Sequence, residues 1–233
     1  MEEVRVAGSR CWDFGDPCAL DLACRVLAAH QVAVLPTDTL YGFSVPGISA
    51  AGVRRLMQLK GIPGRRGFVC LVGRVEDVEP YLAPDQDPRG LDFLRRAWPA
   101  PLTAVLRVRA PLPWAEPVES RWTAAFRVPA HPRLRALLDR IATPLVSTSV
   151  NRSGCEPLRT LEAIGREFGR EPDVWMFGDR GLESRRQQPG STVADFTTWP
   201  PRVLRPGAIA LEGAADALDA GPTSGSERSS KGS

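Results

Sequence analysis

Apolar positions along the chain switch between helical and strand spacing. Asp16-Pro17 is a good helix start, because a capping carboxylate precedes a proline at the first helical position, and apolar residues then recur at helical spacing to about His30. Ser49 is placed to cap a second helix, which we expect to end at Lys60-Gly61 because Pro63-Gly64 forbids its continuation. Further helices are predicted over residues 75–82, 89–98, 132–142 and 160–168.

Short apolar runs between these helices predict buried strands. The predicted strands are residues 32–35, 68–72, 102–108, 124–128, 145–147, 174–177, 191–196 and 202–204. Helices and strands mix without strict alternation, so we predict a single α/β domain with a twisted mixed sheet and helices on its faces. The 22 prolines favour long ordered loops over tight hairpins.

Length and composition fit one packed domain. The chain has 233 residues, of which 43% are hydrophobic and 24% charged. We expect an N-terminal extension over residues 1–15, the folded domain over 16–211, and a disordered tail over 212–233, where apolar residues are too few to form a core. No run approaches the ~20 apolar residues of a membrane helix, and the acidic start lacks a signal-peptide core, so we expect no membrane attachment.

Cysteine and histidine usage argues against metal or hydrolase chemistry. The five cysteines are odd in number and form no CxxC pair, and the two histidines lie far apart, so neither a structural zinc site nor a disulfide framework is expected. A reducing, cytoplasmic setting fits this usage. The chain has no GxSxG elbow, and His131 at a predicted helix start is better explained as a cap than as a catalytic base.

Lysine is almost absent, although the chain carries a formal net charge of +3. That weak basic bias does not by itself indicate nucleic-acid binding. Of the 30 basic residues only Lys60 and Lys231 are lysines, so Lys60 is the one lysine of the predicted domain. It either marks a position that needs a compact ammonium group or survives by chance, and the sequence favours neither explanation.

Three polar clusters follow predicted strands, at residues 36–42, 147–154 and 189–195. In open α/β sheets ligands bind beyond the carboxyl ends of strands, where hydroxyls and backbone amides can hold phosphate oxygens. Each cluster alone is typical of a turn or a cap. The three together favour an anionic ligand, because basic residues flank them: Lys60, Arg66, Arg127 and Arg205. Neither a Walker motif nor GxGxxG is present.

The order of these segments resembles the YrdC-like family. The matching segments are 36–42, the Lys60 segment, 98–103, 127–129, 147–154, 191–195 and 205–207. The match spans residues 17–209, and 36–42 and 147–154 are its most specific parts. The resemblance implies an α/β fold with a twisted sheet and a large basic concave cavity, in a short form without an additional C-terminal domain.

The resemblance also implies a nucleotidyltransferase, threonylcarbamoyl-AMP synthase. Such enzymes join L-threonine, bicarbonate or CO₂, and ATP into threonylcarbamoyl-AMP and release pyrophosphate, for threonylcarbamoyladenosine modification of tRNA. The chemistry relies on positioning and positive electrostatics more than on acid–base side chains. Mg²⁺ is expected to accompany ATP and to keep several waters. RNA and tRNA-modification proteins are further expected partners.

Family roles transfer to ten residues of this chain. The expected catalytic residues are Lys60, Ser149 and Asn151, with Lys60 meeting phosphate or the carbamate carboxylate. The expected substrate-binding residues are Thr37, Arg127 and Ser191, with a bidentate fork from Arg127 on the threonine carboxylate. The expected ATP-binding residues are Arg66, Thr103, Ser147 and Arg205. No protein ligand for a metal is implied.

One motif departs from the family. Relatives usually read Lys-x-Arg where this chain reads Lys60-Gly61-Ile62, and the loss of a charged phosphate contact should cost about 1.5–3 kcal/mol. We hypothesise that Arg65 or Arg66 compensates; Arg66 stands where relatives commonly have Asn or Lys. The alternative is a divergent paralogue that binds RNA or nucleotide without synthase activity.

Overall fold

The computed structural model describes residues 4–6, 9–63, 68–110, 112, 116–118, 121–184 and 189–211. The predicted tail at 212–233 lies outside the described residues, as do Arg65 and Arg66. Strands β1 (Val4–Val6) and β2 (Ser9–Asp13) fall within the predicted N-terminal extension, and β2 is hydrogen-bonded into the sheet. The sheet therefore starts before residue 16.

Twelve strands of the described residues form one open, mixed sheet. After β1 and β2 they are β3 Val32–Pro36, β4 Tyr41–Pro46, β5 Val69–Leu71, β6 Leu102–Val108, β7 Glu116–Val118, β8 Arg121–Arg127, β9 Leu145–Ser149, β10 Val174–Gly178, β11 Thr192–Asp195 and β12 Arg202–Arg205. Their order is β1-β2-β10-β3-β4-β9-β5-β8-β6-β11-β12, with β7 beside β8. β10 runs parallel to β2 and β3, whereas β4 is antiparallel to β3 and β9. The predicted mixed α/β sheet is confirmed.

Six α-helices and one 3₁₀ helix cover this sheet in the described part. They are α1 Pro17–Ala28, α2 Ala50–Lys60, α3 Pro88–Ala97, α4 Pro132–Ile141, α5 Leu161–Phe168, α6 Arg180–Glu183 and the 3₁₀ helix Val75–Tyr81. The predicted caps are confirmed: Asp16 accepts from the Cys18 amide at 2.7 Å and Ser49 from the Gly52 amide at 3.0 Å. α2 ends at Gly61, whose φ of +67° favours glycine.

Both faces of the central sheet carry apolar residues. In β3, Val32 and Val34 pack into a large cluster with α2, α3 and α5, whereas Ala33 and Leu35 pack into a second cluster with α1 and α4. Side chains alternate between the two faces of a strand, so these clusters lie on opposite sides of the sheet. Leu71 and Leu145 belong to the α1/α4 cluster and mark where that cover ends.

The chain between β3 and β4 differs from the prediction. Residues 36–42 were expected to be a polar, turn-rich segment, and residues 37–40 do form a turn. β4 was not predicted, and the proline content was expected to disfavour tight hairpins, whereas β3 and β4 are antiparallel neighbours joined by this turn and all six residues of β4 are buried. The prediction missed β4 because its Gly, Ser and Pro residues hide the strand pattern.

Candidate functional site

A cavity of about 300 Å³ opens on the α1/α4 side of the sheet, beyond the helices. Alternate residues of five strands line it: Val69 and Leu71 of β5, Thr103 and Val105 of β6, Thr123 and Ala125 of β8, Ser147 and Ser149 of β9, and Val193 of β11. Intervening residues such as Cys70, Ala104 and Phe126 pack into the core on the other face. The cavity is therefore one face of the sheet that no described helix covers.

Nine of the ten predicted site residues lie in or beside this cavity. Seven line it: Thr37, Thr103, Arg127, Ser147, Ser149, Ser191 and Arg205. Lys60 and Asn151 adjoin it through hydrogen bonds to Ser149. Arg66 lies outside the described residues.

The cavity includes residues at the carboxyl ends of β3, β8 and β9, as expected for a ligand site, but it also extends along the face of the sheet. Ser147 and Ser149 lie within β9, which is hydrogen-bonded to β4 on one side and β5 on the other. Ser147 is paired with both neighbouring strands, whereas Ser149 at the end of β9 is paired with β4 and its carbonyl accepts from Lys60. The hydroxyls of both residues face the cavity. Because many side chains on this face are small, they leave an unfilled volume, which is the cavity.

The turn at residues 37–40 forms one wall of the site. The Thr37 hydroxyl accepts from the Thr39 and Leu40 amides, both at 3.1 Å, and donates to the Leu40 carbonyl at 2.7 Å. This hydroxyl closes the turn on itself, as a threonine side chain can in place of backbone bonds. The turn is thereby held in one shape beside β8.

Arg127 is held by that turn. The residue is 4% exposed, Nη1 donates to Thr39 Oγ1 at 3.1 Å, and Nη2 donates to Asp38 Oδ1. Sequence reasoning missed Asp38, although it stands in the same polar cluster, because the search was for groups that bind an anion. The presence of a carboxylate, Asp38, among motifs predicted to bind an anion could have indicated that it pairs with Arg127.

Lys60 reaches the other wall from the end of α2. Its Nζ donates to the Ser149 carbonyl at 3.0 Å and to Asn151, at 2.7 Å to Oδ1 and 3.3 Å to the carbonyl. Ser149 Oγ donates to the same Oδ1 at 2.7 Å, so the three predicted catalytic residues form one network. Burial lowers the pKa of Lys60 from its usual 10.5 to about 8.

The far end of the cavity joins β6 to the last described segment. The hydroxyls of Thr103 and Ser191 lie 2.8 Å apart, and Arg205 Nη2 donates to the Ser191 carbonyl at 3.1 Å. Gly207 packs so closely on residues 190–192 that a Cβ there would overlap the Thr192 amide nitrogen. This contact requires glycine and fixes the segment that presents Arg205.

Ile62, where the resemblance leads one to expect arginine, is half-buried and packs against the apolar cluster on the α2 face. Its amide donates to the Met57 carbonyl at 3.0 Å, which helps to end α2. The position thus contributes apolar packing and supplies no charge near Lys60. Whether Arg65 or Arg66 compensates falls outside the described residues.

Two further features bear on the expected chemistry. Within the described ranges, no group of three or more His, Cys, Asp or Glu could hold a metal ion. His131 caps α4, with Nδ1 accepting from the Leu134 amide at 3.1 Å and Nε2 lying 2.9 Å from Asp179 Oδ2, so it belongs to the scaffold.

Among the described helices, none is long and apolar enough to span a bilayer.

Known proteins share this sequence pattern and fold. Residues 25–207 match the Sua5_yciO_yrdC family model, described as "Telomere recombination". A threonylcarbamoyl-AMP synthase of Neisseria meningitidis serogroup A is 35% identical over 164 residues, which is 70% of this chain and 83% of the relative.

Two solved structures extend the comparison. Sua5 of P. abyssi, complexed with L-threonine, has a TM-score of 0.72 at 25% identity, over 85% of this chain and 56% of that one. This chain thus spans little more than half of that Sua5. E. coli YciO has a TM-score of 0.73 at 22% identity, over 87% of this chain and 95% of that one, and shows the shared fold.

Lys60 should give the free energy of unfolding a measurable pH dependence. Because its pKa is lowered on folding, the unfolded chain binds the extra proton between about pH 8 and pH 10.5. The free energy of unfolding therefore gains a contribution that rises with pH across that window and is flat below it. After allowance for solvent screening we expect a total of about 2 kcal/mol.

Urea denaturation of the wild type and of Lys60→Met across this window measures the effect. Both proteins contain the same tyrosines and cysteines. The difference between their pH slopes therefore reports on Lys60 alone. Equal pH slopes for both proteins would contradict the burial of a titrating ammonium at this site.

Proposed function

The chain belongs to the Sua5/YciO/YrdC family, and we propose from this membership that it is a threonylcarbamoyl-AMP synthase. It joins L-threonine, bicarbonate or CO₂, and ATP into threonylcarbamoyl-AMP, with release of pyrophosphate. The observation that carries the proposal is the convergence of seven separated motif residues on one cavity, with Lys60 beside it. This product serves threonylcarbamoyl modification of tRNA.

The amino acid occupies the Arg127 end of the cavity in this proposal. Asp38 and Thr39 hold the guanidinium in one orientation. Its remaining N–H groups can therefore bind a carboxylate without a change of Arg127 rotamer. Ser191 supports the substrate from the opposite wall. Holding threonine here would place its amine inside the cavity, where bicarbonate or CO₂ must meet it.

The nucleotide is bound by Lys60, which contacts the end of β9, and by Arg205 of β12. Carboxylation of the amine gives a carbamate, whose oxygen attacks the α-phosphorus of ATP as the bond to pyrophosphate breaks. Negative charge then shifts to the leaving pyrophosphate, and a fixed ammonium and guanidinium stabilise it without reorganising. Ser149 and Asn151 hold the Lys60 ammonium in place. Thr103 and Ser147 contribute hydroxyls along the same face, and Arg66 is a further proposed ATP contact.

We propose that Mg²⁺ reaches the site on the triphosphate. The cavity lining of described residues offers hydroxyls and cations but no carboxylate, and Asp38 of the adjoining turn is paired with Arg127. When bound with ATP, Mg²⁺ neutralises phosphate charge and keeps much of its water shell. The protein residues would therefore hold the nucleotide, while the phosphates hold the ion.

Partners and compartment follow as proposals from the same function. Threonylcarbamoyl-AMP is an activated adenylate, so we propose that a tRNA-modifying protein consumes it near its source. Direct RNA contact is a further proposal. All five cysteines are free, in keeping with a reducing cytoplasm.

Ile62 favours a second candidate, a family member that binds nucleotide without making the adenylate. An arginine at this position would add a cation next to Lys60, whereas Ile62 packs with apolar residues. Rescue of a weak activity by Ile62→Arg would identify a weakened synthase. Unchanged activity in Ile62→Arg would show that this chain does not need the missing charge.

Purified protein should release pyrophosphate from ATP and Mg²⁺ only when both L-threonine and bicarbonate are present. The dependence on both follows because the carbamate, not water, is the proposed nucleophile. Mass spectrometry of the product checks its identity as threonylcarbamoyl-AMP. Folded protein that binds ATP but releases no pyrophosphate would contradict the proposal and support the binding-module candidate.

Arg127→Lys and Arg205→Ala should separate the two substrates. Lysine keeps the charge of Arg127 but loses its fork, so we expect the KM for L-threonine to rise about tenfold or more and the KM for ATP to change little. Arg205→Ala should show the reverse pattern. Steady-state kinetics with each substrate varied in turn measures both constants. Parallel changes in the two KM values would argue against separate positions for the two substrates.

A further inference from the structure

The cations around the cavity differ in how their charge is balanced. Arg127 is paired with the Asp38 carboxylate, and the two side chains are only 5% and 9% exposed. Asp38 Oδ2 and Arg127 Nε are buried with no hydrogen-bond partner among the described residues. Arg127 lines the cavity, whereas Asp38 is not one of its lining residues.

Within the part of the chain that the structure describes, Lys60 and Arg205 have no such counter-charge. Lys60 donates to two carbonyl oxygens and one amide oxygen, and the hydrogen bond that Arg205 makes goes to the Ser191 carbonyl. Across the described ranges, neither residue forms a salt bridge. Among the described residues, the cavity therefore has one cation that a carboxylate balances, Arg127 on β8, and a cation on either side of it that meets only neutral oxygens.

We propose that Asp38 is a specificity-determining residue, which acts through Arg127 to make the amino-acid end select a zwitterion over an anion. A ligand with a carboxylate and an ammonium group keeps this end neutral when it binds. A net anion would add an unbalanced negative charge beside the buried Asp38 carboxylate, where low polarity strengthens the repulsion. The same repulsion directs the polyanionic triphosphate to Lys60 and Arg205.

This inference deepens the proposed function and rests on it. A simpler role for Asp38 is to position the guanidinium, as Thr39 does through its hydroxyl. The two roles differ in what they predict. Positioning affects every carboxylate ligand alike, whereas charge balance affects a zwitterion and an anion differently.

The test compares L-threonine with 3-hydroxybutyrate, which has the same carbon chain and hydroxyl but no amine. Calorimetric titration without ATP gives the Kd of each ligand for the wild type and for Asp38→Asn, which keeps an oxygen facing Arg127. We expect the wild type to bind L-threonine at least about tenfold more tightly, and Asp38→Asn to lower that ratio by about tenfold, mainly by tighter binding of 3-hydroxybutyrate.

Two further variants serve as controls. Thr39→Val removes the other hydrogen bond to the guanidinium without changing charge, and should weaken both ligands with little change in their ratio. Asp38→Glu keeps the charge and should keep the wild-type ratio, which provides a second test if Asp38→Asn fails to fold.

Each result bears on the inference in a defined way. If Asp38→Asn weakens both ligands equally, or leaves the ratio unchanged while L-threonine still binds, the charge-balance role is overturned and the proposed function stands. A wild-type ratio near one also overturns it. If the folded wild type binds no L-threonine at all, the inference and the proposed function both fail.

Discussion

The two-residue alternation of side chains along the central strands is the constraint on which the site depends. Cys70, Ala104 and Phe126 fill the core on one face, so their neighbours must emerge on the other. A slip of one residue in the pairing of β9 with β4 and β5 would bury Ser147 and Ser149 and expose Val146. The sheet register, more than loop conformation, thus fixes the chemical groups of the cavity.

Electrostatics then distinguishes the cations around this face. Arg127 is balanced by a carboxylate from the β3–β4 turn, and Lys60 is surrounded by neutral oxygens at the end of α2. The separation follows from the fold, because the β3–β4 turn brings Asp38 to Arg127 on β8, whereas the end of α2 brings Lys60 to the end of β9. One cavity can thereby hold a zwitterion and a polyanion next to each other, as adenylate formation from an amino acid requires.

Local sequence signals were sufficient for much of this fold. Helix starts at Asp16 and Ser49 could be predicted because a single side chain satisfies a nearby amide. Nine of the residues named from the family resemblance lie in or beside one cavity, and their roles stay predictions. The cavity's position on a strand face, strand β4 and the pairing of Asp38 with Arg127 could not be predicted. Each depends on contacts between segments distant in sequence, and an acidic residue in a turn has many local explanations.

The dependence of ligand binding on salt tests most directly the central claim that a carboxylate balances Arg127 whereas Lys60 and Arg205 meet neutral oxygens. The Kd of ATP and the Kd of L-threonine would be measured separately from about 50 mM to about 500 mM NaCl, where screening strengthens severalfold. The account predicts that ATP binding weakens by about tenfold or more while L-threonine binding changes by less than about twofold. Equal salt dependence for the two ligands would contradict it.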